Sequence, residues 1–228
     1  MSLETNLSDV RQRIRQACVR SGRDPQDVQL IAVTKTMPPE VIQAAYDLGV
    51  RRFGENRAQE FREKIGRLPG DIEWHFIGHL QSNKIKYVAG KVALIQSVDS
   101  VELAQALSDF AVKKNITQAI LLEVKTSPEA TKYGVPPEQA EAVFMQIREL
   151  PNIFLKGLMT IAPFTDNEVS VRKSFRQLRE LRDALASRVS DREVAVLSMG
   201  MSHDFEIAIE EGSTMVRIGT SIFGTRRR

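Results

Sequence analysis

Short apolar runs alternate along the chain with longer segments in which apolar residues recur every three or four positions. Short continuous apolar runs are typical of strands buried on both faces, whereas the wider spacing is typical of amphipathic helices. The chain contains eight strand-like runs, and they alternate with helix-like segments. They cover residues 30–34, 52–53, 72–77, 92–95, 119–124, 153–158, 194–197 and 214–218.

Several helix boundaries can also be predicted from local residues. The first amphipathic helix ends near Gly22, and Pro38, followed by a second proline, opens the next helix. Ser100 stands where an N-cap is expected, directly before another apolar-periodic segment. Thr165 and Glu168 have the spacing of a capping box, so we expect the longest internal helix to begin between them.

Alternation of about eight strands with helices is typical of a parallel sheet whose strands are joined by helical crossovers. We therefore predict an α/β fold, a single (β/α)8 TIM barrel over residues 1–228, in which the helix of residues 1–22 precedes the first strand. An open doubly wound sheet is the alternative that the pattern leaves open. The chain contains no proline-, glycine- or serine-rich linker that would mark a second domain.

Composition narrows the class of protein. With 42% hydrophobic and 27% charged residues, the chain can bury a core and stay in solution. Its net charge of +3 is too balanced, and its basic residues too scattered, to predict nucleic-acid binding. No apolar run is long enough to cross a membrane, and no secretory signal is present. The single cysteine, Cys18, agrees with a cytoplasmic location.

Lys35 directly follows the first predicted strand. In a barrel the reactive groups lie at the carboxyl ends of the strands. Ile31 and Val33 alternate onto the same face as Lys35, so we expect this lysine above the packed barrel interior. Burial there would disfavour the charged form and leave an amine able to attack an aldehyde. The alternative is a lysine that extends into water or pairs with a carboxylate.

Glycine and hydroxyl residues follow the seventh and eighth predicted strands, in residues 198–202 and 219–224. Barrels bind phosphate at these two strand ends, through backbone N–H groups. Turns also need glycine, so each cluster alone is weak evidence. A lysine that can form a Schiff base, together with a phosphate site in the same barrel mouth, predicts pyridoxal phosphate as cofactor.

Arg217 lies between Val216 and Ile218, two apolar residues that we expect to face the outer helices. Strand alternation then directs Arg217 into the barrel, where it needs a partner. The ring nitrogen of pyridoxal phosphate is one acceptor, and an inward carboxylate such as Glu123 is the alternative.

No metal site is predicted. His75 and His79 are four residues apart, but His75 lies in a predicted strand and Gly78 interrupts any helix, so they do not share a helical face. The basic tail, Arg226–Arg228, is expected to be a solvated terminus.

Four stretches of the chain resemble the pyridoxal phosphate homeostasis proteins, which are cytosolic relatives of the N-terminal barrel of alanine racemase (pyridoxal phosphate fold type III). They occur in the family's order from residue 31 to residue 224, so the resemblance covers nearly the whole chain. These stretches are IAVTK at 31–35, FGEN at 53–56, WHFIGHLQSNK at 74–84, and residues 198–224.

The resemblance implies a role for each matching residue. Lys35 would carry the cofactor as a Schiff base, and Arg217 would face the pyridine nitrogen. Asn56 and His79 would lie near the ring. The residues that would surround the phosphate are Ser198, Met201, Ser202, Gly219 and Thr220. One stretch departs from the family, because the fifth strand ends in EVKTSPE at 123–129 where relatives are often rich in asparagine, although Lys132 and Gly134 are retained.

The resemblance also favours a function. It implies a carrier or regulator of the cellular pyridoxal phosphate pool without robust catalysis, with apo-enzymes that use this cofactor as recipients. A small amino-acid racemase is the alternative, but only ten residues of this sequence follow the eighth strand, so we do not expect the second domain that brings a racemase its opposite base. A barrel aldolase would share Lys35 but gives no reason for an inward Arg217. We expect a monomer that binds neither nucleic acid nor membranes.

Overall fold

The computed structural model describes residues 2–129 and 133–224, so Lys132 and Arg226–Arg228 lie outside the described residues. Eight parallel strands pair in chain order and close into a barrel when the eighth pairs with the first. The strands are β1 (Gln29–Val33), β2 (Arg52–Glu55), β3 (Glu73–Phe76), β4 (Leu94–Val98), β5 (Gln118–Glu123), β6 (Ile153–Met159), β7 (Val196–Ser198) and β8 (Met215–Ile218).

Helices connect the strands and surround the barrel, as right-handed crossovers require. They are α1 (Leu3–Arg20), α2 (Pro39–Asp47), α3 (Ala58–Ile65), α4 (Ile85–Val88), α5 (Val101–Lys114), α6 (Pro137–Arg148), α7 (Glu168–Ala186), α8 (Phe205–Glu210) and α9 (Thr220–Phe223). The predicted (β/α)8 barrel is confirmed, and the open sheet is excluded because β8 and β1 are hydrogen-bonded neighbours. Within the described residues, no helix has both the length and the apolar character that a membrane crossing requires.

All eight predicted strands are present, but some boundaries differ. The fourth was predicted at residues 92–95 and is found at Leu94–Val98. Val92 is buried outside the sheet, and the first backbone bond to the neighbouring strand comes from the N–H of Ala93, which donates to Trp74 O at 2.8 Å. The apolar run therefore begins two residues before the strand, because a residue can be buried in the core without being hydrogen-bonded to the sheet.

Strand alternation divides the core into two layers. Residues that point inward from five strands form a small cluster inside the barrel: Ile31, Leu94, Leu121, Met159 and Met215. Their neighbours, such as Ala32, Ile95 and Val216, point outward and pack with the helices in the main core. The barrel is therefore a packed interior rather than a pore, and only its ends are open to ligands.

The structure tests the predicted N-termini of two helices, α5 and α7. The prediction that Ser100 caps α5 is confirmed, since its side chain accepts a hydrogen bond from the N–H of Leu103 at 3.1 Å. The predicted capping box of Thr165 and Glu168 is wrong. Thr165 Oγ1 accepts from the N–H of Asn167 in a short turn, and Asn167 is the N-cap, which makes Glu168 the first helical residue. Threonine and asparagine side chains both favour hydrogen bonds to nearby backbone groups. The N-cap is therefore Asn167, two residues after the predicted Thr165.

A buried ion pair lies beneath the end of β1. Lys64 of α3 contacts Glu55, the last residue of β2, with Nζ and Oε1 2.7 Å apart, and their side chains are only 8% and 1% exposed. Thr34 joins them, because its hydroxyl donates to Glu55 Oε1 at 2.6 Å while its carbonyl accepts from Lys64 Nζ at 2.9 Å. The chain that leaves β1 is thus tied to both β2 and α3.

We predict that Lys64→Met destabilises the fold by about 3–5 kcal/mol, because it leaves the Glu55 carboxylate buried without its cation. Urea denaturation followed by circular dichroism measures the loss. Arg67→Met is the matched control, since the Arg67–Glu40 pair is 62% and 72% exposed and should contribute about 0–1 kcal/mol. Equal losses in the two variants would contradict a special role for the buried pair.

Candidate functional site

The carboxyl ends of the eight parallel strands form one rim of the barrel, as the topology requires. Each sequence-predicted site residue lies in the last two positions of a strand or follows a strand within a few positions, so all of them lie at or near this rim. Behind β1, β2 and β3 these are Lys35, Asn56 and His79, and at or behind β7 and β8 they are Ser198, Met201, Ser202, Arg217, Gly219 and Thr220.

Lys35 is exposed, which corrects the expectation that it is buried above the barrel interior. The strand β1 ends at Val33, and Lys35 and Thr36 form a turn in which Thr36 has a φ of +65°. The alternation that points Ile31 inward therefore stops before it reaches Lys35. The amine lies at the barrel mouth with access to solvent.

Helix α3 fixes the backbone on both sides of Lys35. Lys64 binds the carbonyl of Thr34, and Glu60 Oε2 accepts a hydrogen bond from the N–H of Thr36 at 2.8 Å. Residue motifs did not identify this tether. The signal for it was the position of Lys64 on the buried face of α3, three residues after Phe61, where a charged residue needs a partner.

Arg217 points into the barrel and is buried, as the alternation predicted. One amino group, Nη1, donates to Ser198 Oγ at 2.6 Å, and the other, Nη2, donates to the carbonyl of Thr160 at 2.8 Å. The alternative partner, Glu123, is near enough to interact by charge, but it makes no hydrogen bond to this guanidinium. Burial lowers the pKa of Arg217 to about 10, and the charges of Glu123 and Asp204 oppose that shift.

Glu123 is a buried carboxyl group at the mouth, at the carboxyl end of β5. Burial, together with the negative charge of Asp99 and against the positive charge of Arg217, raises the pKa of Glu123 to about 7. Around neutral pH the rim therefore holds one carboxyl that can be either charged or protonated. From the sequence, Glu123 was predicted only as an alternative partner for Arg217, because no local pattern indicates the charge of Asp99 beside it.

Ser202 joins the ends of β7 and β8. Its hydroxyl oxygen accepts from the N–H groups of Gly219 and Ser221, both at 3.3 Å. Gly219 also lies against the end of β1, since an added Cβ would be 3.3 Å from the carbonyl oxygen of Val33. The predicted phosphate-binding residues Ser202, Gly219 and Thr220 are thus brought together beside the turn that carries Lys35.

Met201, which was also predicted to surround the phosphate, has contacts that differ from those of Ser202 and Gly219. Its backbone N–H donates to Asp204 Oδ1 at 2.6 Å, and its side chain lines a cleft of about 500 Å³ between the loops that follow β6 and β7. Phe164, which is 81% exposed, and His203 lie on the same cleft, with their ring centroids 5.6 Å apart.

Asn56 and His79 share a smaller cleft of about 240 Å³, whose lining includes neither Lys35 nor Arg217. Asn56 Oδ1 is buried there without a hydrogen-bond partner. His79 lies 3.2 Å from Asp99, and its ring stacks on Tyr133 with the centroids 4.0 Å apart. These two residues are therefore near each other but form a separate part of the rim.

Across residues 2–129 and 133–224, no group of three or more metal-ligating side chains is close enough to hold an ion. His75 and His79 have different surroundings, because His75 is 1% exposed inside the barrel whereas His79 lies at the rim.

Comparisons with known proteins agree with this arrangement. The family profile described as alanine racemase, N-terminal domain, matches residues 5–227. A protein of Aquifex aeolicus (strain VF5) named pyridoxal phosphate homeostasis protein is 51% identical over 222 residues, which is 97% of each chain.

Two solved structures share the barrel. PipY of Synechococcus elongatus PCC7942, solved with PLP bound, has a TM-score of 0.83 at 34% identity, over 98% of this chain and 100% of PipY. Alanine racemase of Clostridium difficile 630 has a TM-score of 0.79 at 18% identity, over 99% of this chain and 60% of the racemase, which shows the fold alone. By its identity to curated relatives over nearly the full length, the chain belongs to the family of pyridoxal phosphate homeostasis proteins, built on the alanine racemase N-terminal barrel.

Proposed function

We propose that this protein binds pyridoxal phosphate at the barrel mouth, as a Schiff base on Lys35, and that it maintains the cellular pool of the cofactor without robust catalysis. The family membership and the PLP-bound state of PipY support the choice of cofactor. The observation that carries the proposal is the juxtaposition of three groups on neighbouring strands. The turn with Lys35 follows β1, Arg217 lies on the adjacent β8, and Ser202 bonds the backbone beyond β8.

The residues present fit the chemistry of this cofactor. A guanidinium has five N–H groups, and the bonds to Ser198 and Thr160 use two of those on Arg217. The remaining donors suit the ring nitrogen of pyridoxal phosphate, which accepts hydrogen bonds. The Lys35 amine suits the aldehyde, and the cluster of Ser202, Gly219 and Thr220 suits the phosphate. When bound, the cofactor supplies an electron sink for amino-acid chemistry.

The exposure of Lys35 favours a carrier over an enzyme. An enzyme that uses a lysine amine generally shields it from water, because a desolvated amine is neutral and nucleophilic. Here the Lys35 side chain is exposed at the rim, where another protein can approach it. We propose that apo-enzymes dependent on pyridoxal phosphate are the recipients.

The arrangement of tyrosines argues against the alternative of a two-base racemase, which needs an acid–base group on each face of its substrate. Tyr46 lies in α2 and donates its hydroxyl to Asp71 at 2.7 Å, and Tyr87 lies in the short helix α4. Tyr133 lies at the rim, where its ring stacks on His79.

We further propose a cytoplasmic monomer. Two observations support it: Cys18 is a free, buried thiol, and the exposed large apolar side chains of the described residues are distributed over different elements. Phe164 and Val169 are the pair nearest in sequence, and they lie on either side of the α7 start.

We expect Lys35→Ala to abolish the absorbance band of the Schiff base and its fixation by borohydride. Because Lys35 is exposed, the stability of the protein without cofactor should change by less than about 0.5 kcal/mol. Lys91→Ala, at another exposed lysine, is the control and should keep the band. A reducible band that persists in the Lys35 variant would assign the cofactor to a different lysine, with Lys132 the first to test.

We expect the phosphate to be required for tight binding, since the hydroxyl and N–H groups after β7 and β8 have no role toward unphosphorylated pyridoxal. Ser202→Asp should weaken binding of pyridoxal phosphate by at least about tenfold, because it places like charge beside the phosphate. Ser8→Asp, on the exposed face of α1, adds the same charge as a control. Equal affinities for pyridoxal and its phosphate in a titration would refute the phosphate site.

We expect negligible racemisation. Arg217 would donate to the ring nitrogen and keep its own proton, which would weaken the electron sink, and the described tyrosines supply no opposite base. Purified protein should exchange the α-proton of alanine in deuterated water little faster than free cofactor does, as measured by NMR. Turnover in the usual enzymic range of roughly 1–1,000 per second would replace the carrier with the racemase.

A further inference from the structure

A chain of buried polar side chains crosses the barrel interior below the site. From Arg217 it continues to Ser198, whose hydroxyl donates to Gln96 Oε1 at 2.6 Å. Gln96 Nε2 lies 2.8 Å from His75 Nδ1, and His75 Nε2 lies 3.3 Å from Glu73 Oε1. The chain therefore links the rim of the barrel to the first residue of β3, at the opposite end.

The direction of every hydrogen bond in this chain follows from the arginine. A guanidinium can only donate, so Ser198 Oγ accepts from it and is left with its own proton to donate. Among the described residues, the acceptor that takes this proton is the oxygen of the Gln96 amide, which is fully buried. The Gln96 NH2 group is then forced to face the other way, toward His75.

The same logic determines the state of His75. Since Gln96 Nε2 donates, His75 Nδ1 must be without a proton and Nε2 must carry one. Met215 Sδ, 3.1 Å from Gln96 Nε2, is an acceptor and agrees with this orientation. Glu73 completes the chain as an acceptor. The hydrogen bond from His75, assisted by the charge of Arg52, lowers the pKa of Glu73 and keeps it ionised.

We propose that Gln96 and His75 are positioning residues, which hold Ser198 as an acceptor and so direct the unused N–H groups of Arg217 toward a ligand in the mouth. The inference rests on the proposed function for the identity of that ligand. It goes beyond the proposed function in assigning a role to two side chains that lie inside the barrel and touch no ligand.

The contacts of Arg217 explain why a positioning chain matters here. Apart from Ser198, its acceptor is the carbonyl of Thr160, and the Thr160 hydroxyl is itself committed to the carbonyl of Val124 at 2.7 Å. Ser198 can rotate its hydroxyl about one bond, so only the Gln96 oxygen keeps its lone pairs facing Arg217. Without that oxygen, the hydroxyl proton could point at the guanidinium, and one bond of two would be lost.

The first experiment tests the chain without any cofactor. The ¹⁵N chemical shifts of the His75 ring report which nitrogen carries the proton, and we expect Nε2–H in the neutral ring. In Ser198→Ala, the Gln96 amide loses the hydroxyl that donates to its oxygen. The amide can then reverse, and the form of His75 with a proton on Nδ1 should become populated. A wild-type ring protonated on Nδ1 would overturn the proposal, since the amide would then be reversed.

The second experiment tests the effect on the ligand. Wild-type protein should bind pyridoxal phosphate about tenfold more tightly than 1-deazapyridoxal phosphate, whose ring offers no nitrogen to Arg217. Gln96→Leu should remove most of this preference by weakening only the binding of pyridoxal phosphate. The control is Gln118→Leu, because Gln118 is as buried but bonds Gly90 and the backbone near β5, away from Arg217.

The outcomes distinguish a failure of the positioning role from a failure of the proposed function. If Gln96→Leu weakens both compounds equally, or if Gln118→Leu changes the preference as much, Gln96 is merely structural and the proposal is wrong. If wild-type protein binds neither compound, the proposed function fails, and the orientation of the chain is still decided by the ring nitrogen of His75.

Discussion

The pairing of β8 with β1 is the constraint on which the rest of the site depends. It sets Arg217 beside Ile31 and places Gly219 against the carbonyl of Val33, where a larger residue would be in close contact. The ends of the chain reinforce this closure, because α1 packs on α8 and α9 and Asn6 donates to the carbonyl of Ile222 at 3.0 Å. Residues from the two ends of the sequence thereby form one side of the mouth.

Burial of the arginine imposes the second constraint. Removing a charged group from water costs several kcal/mol unless hydrogen bonds replace its hydration. The barrel supplies them from inside, through Ser198 and Thr160, and Glu123 and Asp204 add negative charge nearby. An apolar interior would have been simpler to pack. The chain of buried polar side chains through Gln96 and His75 is thus explained by the guanidinium of Arg217, which can only donate hydrogen bonds and is buried at the base of the site.

The sequence predicted the fold well because the information is local. Eight apolar runs that alternate with helices favoured a barrel over an open sheet, and alternation alone placed Arg217 inside; the β8–β1 pairing then decided for the barrel. Lys35 shows the limit, since alternation holds only as far as the strand does and β1 ends at Val33. The buried chain shows another limit. Ser198 and Gln96 are 102 residues apart, and neither belongs to a local pattern that would pair them. The Lys64–Glu55 pair joins two consecutive elements, β2 and α3, and its link to Thr34 depends on the pairing of β1 with β2.

The two ends of the site differ physically, and the difference bears on function. Arg217 is buried and fixed by strands β6 and β7, while Lys35 is exposed, with only the backbone around it tied down by Glu60 and Lys64. The mouth therefore combines a rigid, buried cation on one side with an exposed amine on the other. An enzyme gains from the reverse, because excluding water at the reacting atom strengthens every charge interaction there. Under the proposed carrier function, the rigid Arg217 would serve selective binding and the exposed Lys35 would serve release.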